Sequence, residues 1–165
     1  MKQDRISSVA SRSGYGKAVR AVVVGGFIAG VLDLAYAILV YSAKRPILVP
    51  QTIASGVLGQ RAYHGGAETA VLGVILHFVI AFGAATAYYL ASRKLLYLVQ
   101  RPVAFGLIFG ALVYIFMHAI VLPLSAVPPL GKTPLIYKVC EFVWHWFGVG
   151  LPISLSVRHY STGAW

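Results

Sequence analysis

The sequence predicts an all-α membrane protein, a bundle of four transmembrane helices. Hydrophobic residues make up 59% of the 165 residues and charged residues only 11%, whereas soluble domains average about 25% charged residues. Four apolar stretches are long enough to cross a bilayer, because about 20 helical residues span a hydrocarbon layer of about 30 Å. A soluble fold of this size could not bury so much apolar surface. We therefore expect the lipid bilayer to cover most of the molecule.

The helices form a predicted transmembrane domain of residues 21–157. Their predicted ranges are residues 21–41, 69–91, 102–122 and 135–157. The fourth is the least apolar, since it contains Lys138, Glu141 and His145. The connection between the second and third helices is short, and short connections place neighbouring helices side by side and antiparallel. The sequence therefore favours a four-helix bundle.

Two outer loops carry further signals. The first, residues 42–68, is too long to lack structure in so compact a protein, and residues 51–61 place apolar side chains on one side: Ile53, Ala54, Val57 and Leu58. We predict a short interfacial or re-entrant helix there, with an ordinary loop and chance periodicity as the open alternative. The second outer loop contains Pro123, Pro128, Pro129 and Pro134, which predict a stiff, extended connection.

The basic residues predict the orientation of the chain. The net charge is +10, but the lysines and arginines cluster at the borders of the apolar stretches, which is typical of the positive-inside rule rather than of nucleic-acid binding. Nine lie in a basic N-terminal segment (residues 1–20), the loop after the second helix and a tail (residues 158–165). Five lie on the opposite side: Lys44, Arg45, Arg61, Lys132 and Lys138. We therefore predict a multi-pass protein of a bacterial inner membrane with both termini in the cytoplasm.

Five ionisable side chains inside the predicted helices form the candidate site. They are Asp33, His77, His118, Glu141 and His145. A charge at the centre of a membrane helix costs about 2.5 to 3.5 kcal/mol on insertion scales, so partners must compensate it. With the predicted orientation all five fall in the outer half of the membrane. We therefore expect one buried polar cluster with two acids and three imidazoles, whereas Cys140, the single cysteine, should be a small buried hydrophobe.

Small residues share the helix faces of these polar side chains. The glycines expected at helix contacts are Gly26, Gly30, Gly73, Gly106, Gly110 and Gly148. Small residues let membrane helices approach closely, so such faces should point into the bundle. The polar side chains should point inward with them.

Three functions fit such a cluster. The first is structural: the polar residues pair with each other and fix the helix register of a scaffold or an accessory subunit, with no catalytic residues. The second is a proton-linked small-solute transporter or channel, because imidazoles and carboxylates exchange protons; so small a bundle would work as a homodimer or within a larger membrane complex. The third is a haem b centre or a divalent metal site, with ligands drawn from His77, His118, His145 and Glu141.

Four short motifs carry a resemblance to a known kind of protein. They are the sequences GVLDLAYA at residues 30–37, IASGVLG at 53–59, LHF at 76–78 and PLS at 123–125. On these motifs the chain resembles small bacterial inner-membrane proteins of the YagU-like kind over most of its length. The resemblance implies a four-helix membrane protein but carries over no activity, cofactor or catalytic residue.

Overall fold

The computed structural model describes residues 2–129, 131 and 133–161, with side chains from Tyr15 onward. Within these residues every regular element is a helix, so the prediction of an all-helical chain is confirmed for this part. Some residues used in the sequence argument lie outside the described ones: Lys132, residues 162–165 of the predicted tail, and the side chains of Lys2, Arg5 and Arg12.

Eight α-helices and three tighter or wider helical segments follow one another along the described chain. They are α1 (Lys2–Tyr41), α2 (Leu48–Leu58), a 3-10 segment (Gly59–His64), α3 (Gly66–Lys94), α4 (Tyr97–Gln100), α5 (Pro102–Phe116), a π-helical segment (Met117–Val121), α6 (Leu122–Leu124), α7 (Leu135–Trp144), a second π-helical segment (His145–Gly150) and α8 (Leu151–Ser161). The last three are continuous, and we call residues 135–161 helix IV.

In the described part of the chain, three helices are long and apolar enough to cross a membrane. They are Tyr15–Tyr41, Gly66–Lys94 and Pro102–Leu124. Helix IV is not among them, because Lys138, Glu141 and His145 lower its hydropathy. The four predicted ranges each coincide with a helix, although the helices extend further: the first begins at Lys2, and the second covers Gly66–Lys94.

Helix IV runs antiparallel to α1 along the length of that span. At one end the rings of Tyr41 and Tyr137 lie 6.0 Å apart, and at the other the Ser156 hydroxyl donates to the Ala21 carbonyl over 2.9 Å. Helix α3 packs on the other side of α1, where a Cβ on Gly26 would lie 3.2 Å from Phe82 Cα. Pro102–Leu124 packs against helix IV. Helix α1 and helix IV are therefore the central pair.

The apolar core lies towards the end of this bundle at which Ala21 meets Ser156. It is formed by Ala21, Ala29, Ala85, Tyr88, Val99, Val149, Ile153 and Val157. The Tyr88 hydroxyl donates to the Leu98 carbonyl over 3.0 Å, which satisfies the one polar atom that its buried ring brings into this region. The polar residues of the candidate site lie towards the other end of the helices.

Helix α2 buries one side and exposes the other. Gln51, Ala54 and Ser55 are buried, whereas Val57 is 66% exposed. The Gln51 amide donates to the Gly66 carbonyl over 3.1 Å. The predicted short helix is thus present, and of its apolar side chains Val57 and Leu58 are exposed while Ala54 is buried. Exposed apolar side chains suit a lipid environment, where they need not be buried.

Both π-helical segments precede a Leu-Pro pair inside a helix. Proline has no N–H and its ring clashes with the carbonyl four residues earlier, so an α-helix must open or bend there. Pro123 follows the first segment and Pro152 the second, each preceded by a leucine. Pro123 therefore lies within a helix and not in the extended loop where the sequence analysis placed it.

Candidate functional site

Two carboxyl–imidazole pairs join helix IV to its two neighbours. His145 Nε2 lies 3.9 Å from Asp33 Oδ1 on α1, and His118 Nε2, in the first π-helical segment, lies 3.9 Å from Glu141 Oε1. These distances permit electrostatic attraction but exceed that of a direct hydrogen bond. We call the first the inner pair and the second the outer pair.

The two pairs lie at neighbouring depths. Glu141 precedes His145 by one helical turn, which separates the pairs by about 6 Å along helix IV at a rise of 1.5 Å per residue. The Tyr41 hydroxyl, at the end of α1, donates to Glu141 Oε2 over 2.8 Å. The outer pair is therefore the one nearer the predicted outer surface.

Tyr114 connects the two imidazoles. Its ring stacks on His118 with centroids 4.0 Å apart, and it meets His145 edge to face at 5.3 Å. Aromatic contacts of this kind stabilise a pair by about 0.5 to 1.5 kcal/mol beyond burial. Tyr114 thus helps to hold both rings in place.

The imidazole Nδ1 atoms contact the backbone of their own helices. His118 Nδ1 lies 3.1 Å from the Tyr114 carbonyl oxygen, and His145 Nδ1 lies 2.8 Å from that of Glu141. A carbonyl oxygen only accepts hydrogen bonds, so the Nδ1 atoms must carry the hydrogen. The Nε2 atoms then face the carboxyl groups.

Exposure differs within the site. The His145 side chain is 8% exposed, those of Asp33 and Glu141 are each 24% exposed, and that of His118 is 36% exposed. Of the four, only His145 is thus buried, in contrast to the expected buried cluster. The other three side chains are partly exposed at the surface of the protein.

His77 lies apart from the two pairs. Its Nε2 lies 2.9 Å from the Gly30 carbonyl oxygen, and its ring packs edge to face on Phe78. Gly30 is nearly one turn deeper along α1 than Asp33. The structure therefore brings together four of the five candidate residues and leaves the fifth in a separate contact between α1 and α3.

The described residues contain no group of three or more His, Cys, Asp and Glu side chains that could hold a metal ion. In both pairs one imidazole nitrogen faces a backbone carbonyl and the other a carboxyl group. An Nδ1 atom that donates to the backbone leaves the lone pair of a neutral imidazole on Nε2, and in both histidines Nε2 faces a carboxyl group.

A phenol and an indole lie beside the pairs. Tyr36 and Trp144 stack with ring centroids 4.8 Å apart, and the buried Tyr36 Oη and Trp144 Nε1 atoms have no hydrogen-bond partner among the described residues. Buried donors of this kind are rare. A hydrogen-bond acceptor atom placed at this contact between α1 and helix IV would therefore be stabilised.

Five of the six glycines expected at helix contacts meet another element of the fold. Added Cβ atoms at Gly26 and Gly30 would meet α3, one at Gly73 would meet the Pro50 carbonyl oxygen of α2, and those at Gly106 and Gly110 would meet helix IV. Gly148 instead leaves room for the Trp144 indole of its own helix. Sequence reasoning missed Gly150, which packs against the backbone of Gly106 and Gly110.

Sequence reasoning also missed the π-helical segments. His145 begins one of them and His118 is the second residue of the other. Such segments are rare and occur frequently at functional sites. The signal that could have found them is the Leu-Pro pair a few residues after each histidine, at Leu122-Pro123 and Leu151-Pro152.

An apolar groove lies apart from these polar residues. It has a volume of about 690 Å³ between α3 and the helix of residues 102–124, and its lining includes Gly83, Ala87, Phe109, Leu112, Phe116 and Ile120. Cys140, expected to be buried, is exposed. An apolar groove and an exposed apolar thiol both suit a surface that faces lipid.

Comparison with known proteins identifies the family. A family model described as conserved membrane protein YqhR matches residues 7–163, while no curated protein and no solved structure matches. The match supports the expected small conserved membrane protein but not the YagU-like kind specifically. Since it covers nearly the whole sequence, the chain belongs to the YqhR family of conserved membrane proteins.

Proposed function

We propose that helix IV is a fourth transmembrane span. It runs beside Tyr15–Tyr41, which is long and apolar enough to cross the membrane, and the two are in contact near both ends. Two of the polar residues that lower its hydropathy, Glu141 and His145, face neighbouring helices, where His118 and Asp33 are their partners. A helix with compensated polar residues can cross a bilayer at modest cost.

The proposed location is a bacterial inner membrane with both termini in the cytoplasm. Four spans return the chain to its starting side, and the excess of basic residues favours that side as the cytoplasm. Helix α2 would then lie at the outer surface with Val57 and Leu58 towards lipid.

A topology assay tests this arrangement. Reporters that are active only in the cytoplasm, fused after residue 161 and in the loop at Leu95, should be active, whereas one inserted at Lys44 should be inactive. Activity at Lys44 together with inactivity at the other two sites would contradict the orientation. Activity at Leu95 with inactivity after residue 161 would contradict the fourth span.

We propose that the protein works as a proton-linked transporter or channel for a small solute. The observation that carries this proposal is the meeting of two carboxyl–imidazole pairs from three helices, each within 3.9 Å. Imidazole is the side chain that titrates near neutral pH, and ionisable groups inside membranes commonly form proton pathways. Both histidines also belong to π-helical segments, where the helix can change its register.

The surroundings of the pairs support a small polar solute. Tyr36 and Trp144 offer an O–H and an N–H that have no hydrogen-bond partner in the described part of the chain, and they lie on the same helices as Asp33 and Glu141. A solute with oxygen acceptors would satisfy these donors. Binding at this position would couple the solute to the protonation of both carboxyl groups.

Proton flux into vesicles tests the proposed function. Purified protein in vesicles that enclose a pH-sensitive dye should take up protons under an inside-negative potassium diffusion potential, faster than protein-free vesicles do. The double variant Asp33→Asn and Glu141→Gln should return the rate to the protein-free level, because an amide cannot exchange a proton. His77→Gln, the matched control at a similar depth, should leave the rate unchanged.

Two results would contradict this proposal. A wild-type rate equal to that of protein-free vesicles would exclude proton conduction, and an unchanged rate in the double variant would exclude the two pairs as its path. The second candidate, a scaffold or accessory subunit, is favoured by the way the same pairs fix helix IV to both neighbours. If the protein is a scaffold or an accessory subunit, the vesicles should show no proton flux. The double variant should then lose stability or the complex with a partner protein.

A further inference from the structure

We infer that each carboxyl–imidazole pair holds one exchangeable proton, located on the imidazole Nε2 or on the carboxyl group, while the Nδ1 hydrogen stays fixed on the backbone. The number and position of these protons follow from the hydrogen-bond geometry of the two histidines. Only the consequence for transport rests on the proposed function.

The first step is the assignment of the Nδ1 hydrogens. The Nδ1 atoms of His118 and His145 contact the carbonyl oxygens four residues earlier in the chain, at 3.1 and 2.8 Å. Because a carbonyl has no hydrogen to donate, each Nδ1 must be the donor. A neutral imidazole has only one N–H, so in the neutral form Nε2 carries a lone pair.

The second step concerns the charge between the partners. A bare carboxylate facing that lone pair would place two electron-rich groups 3.9 Å apart in a region of low dielectric constant. Electrostatic interactions are strong there, and an uncompensated carboxylate is costly. One proton per pair removes this repulsion. If the proton is on Nε2, the pair is an imidazolium beside a carboxylate, and if it is on the acid, both groups are neutral.

The neighbouring groups do not supply that proton. Around the inner pair the titratable side chains are Tyr36 of α1 and Tyr114 of α5; the nearest one on α3, His77, contacts Gly30. Around the outer pair they are Tyr41, whose hydroxyl already donates to Glu141, Tyr36, Tyr114 and the Cys140 thiol, and Lys138 lies one turn before Glu141 on helix IV. The ion pair described for each carboxyl group is with a histidine, so the paired imidazole is the basic partner of each acid.

Proton transfer is therefore confined to one nitrogen of each imidazole. The proton exchanges at Nε2, which faces the acid, whereas Nδ1 does not pass a proton to the backbone. The two imidazoles differ in exposure, which is 36% for His118 in the outer pair and 8% for His145 in the inner pair. Loss of either proton would remove the electrostatic attraction within that pair.

Magnetic resonance of the full-length protein in lipid bilayers tests this inference. The chain has only five histidines and four acidic residues, so ring ¹⁵N signals and side-chain carboxyl ¹³C signals can be assigned with single His→Gln, Asp→Asn and Glu→Gln variants. At neutral pH we expect protonated Nδ1 at His118 and His145, and a proton on either Nε2 or the carboxyl group of each pair. His77, whose Nε2 donates to Gly30, provides the internal control with protonated Nε2.

Two results would overturn the inference. One is a neutral His118 or His145 with its hydrogen on Nε2 and a bare Nδ1. The other is a neutral imidazole together with an ionised carboxyl group in either pair at neutral pH. Vesicles without proton flux would contradict the proposed function but not this inference, because both pairs can carry their protons without conducting them.

Discussion

Gly110→Ala is expected to lower the thermal stability of the protein. The added methyl group would meet the carbonyl oxygen of His145 and lie 2.7 Å from Trp146 Cα. Both are backbone atoms of helix IV, so no flexible side chain can move aside. Overpacking of this kind costs about 1 to 3 kcal/mol, which corresponds to a decrease in Tm of several degrees for a chain of this size.

Gly83→Ala provides the matched control. Gly83 lies within α3, and an added Cβ would have no atom within 4 Å. Alanine has the higher helix propensity by about 1 kcal/mol, so this variant should equal or exceed the wild type in Tm. Thermal denaturation of both variants in the same detergent measures the difference, and equal losses in the two would show that the glycine contact between α5 and helix IV does not stabilise the bundle.

The helices were predictable because hydropathy is a property of long segments. The first three stretches are predominantly apolar, and all of them are observed as helices that could span a membrane. Helix IV is the instructive case, since Glu141 and His145 reduce its hydropathy although their partners lie on other helices. Hydropathy assigns a residue the same value whether or not it is compensated in three dimensions.

The pairing of the polar residues could not be derived from the sequence. Helical spacing indicates which residues share a face of one helix, but the choice of partner depends on the rotation and depth of two helices. His77 and His145 both lie on faces with small residues, yet only His145 meets Asp33, while His77 contacts the Gly30 backbone. An argument from side chains alone cannot identify a backbone carbonyl oxygen as the partner of a histidine.

Helix α2 shows a second limit of sequence patterns. Ile53, Ala54, Val57 and Leu58 form an apolar side, and a buried apolar side is the rule in water. In the structure Gln51 and Ser55 are buried together with Ala54, whereas Val57 and Leu58 are exposed. The side of an amphipathic helix that is buried therefore cannot be predicted until its solvent is known.

The measurement that tests the account most directly is a set of double-mutant cycles on the two pairs. His145→Leu leaves the Asp33 carboxyl group without its basic partner, which should cost about 2.5 to 3.5 kcal/mol at the helix centre. Adding Asp33→Leu should recover a large part of that loss, because removing both partners avoids an unpaired charge. His118→Leu and Glu141→Leu should behave in the same way.

The crossed combinations provide the control. Asp33→Leu should not rescue His118→Leu, and Glu141→Leu should not rescue His145→Leu, since these residues are not paired. The free energy of unfolding in mixed micelles should therefore show coupling of about 0.5 to 3 kcal/mol within each pair and clearly less across pairs. Additive losses in all four combinations, or equal coupling in matched and crossed ones, would contradict the two carboxyl–imidazole pairs.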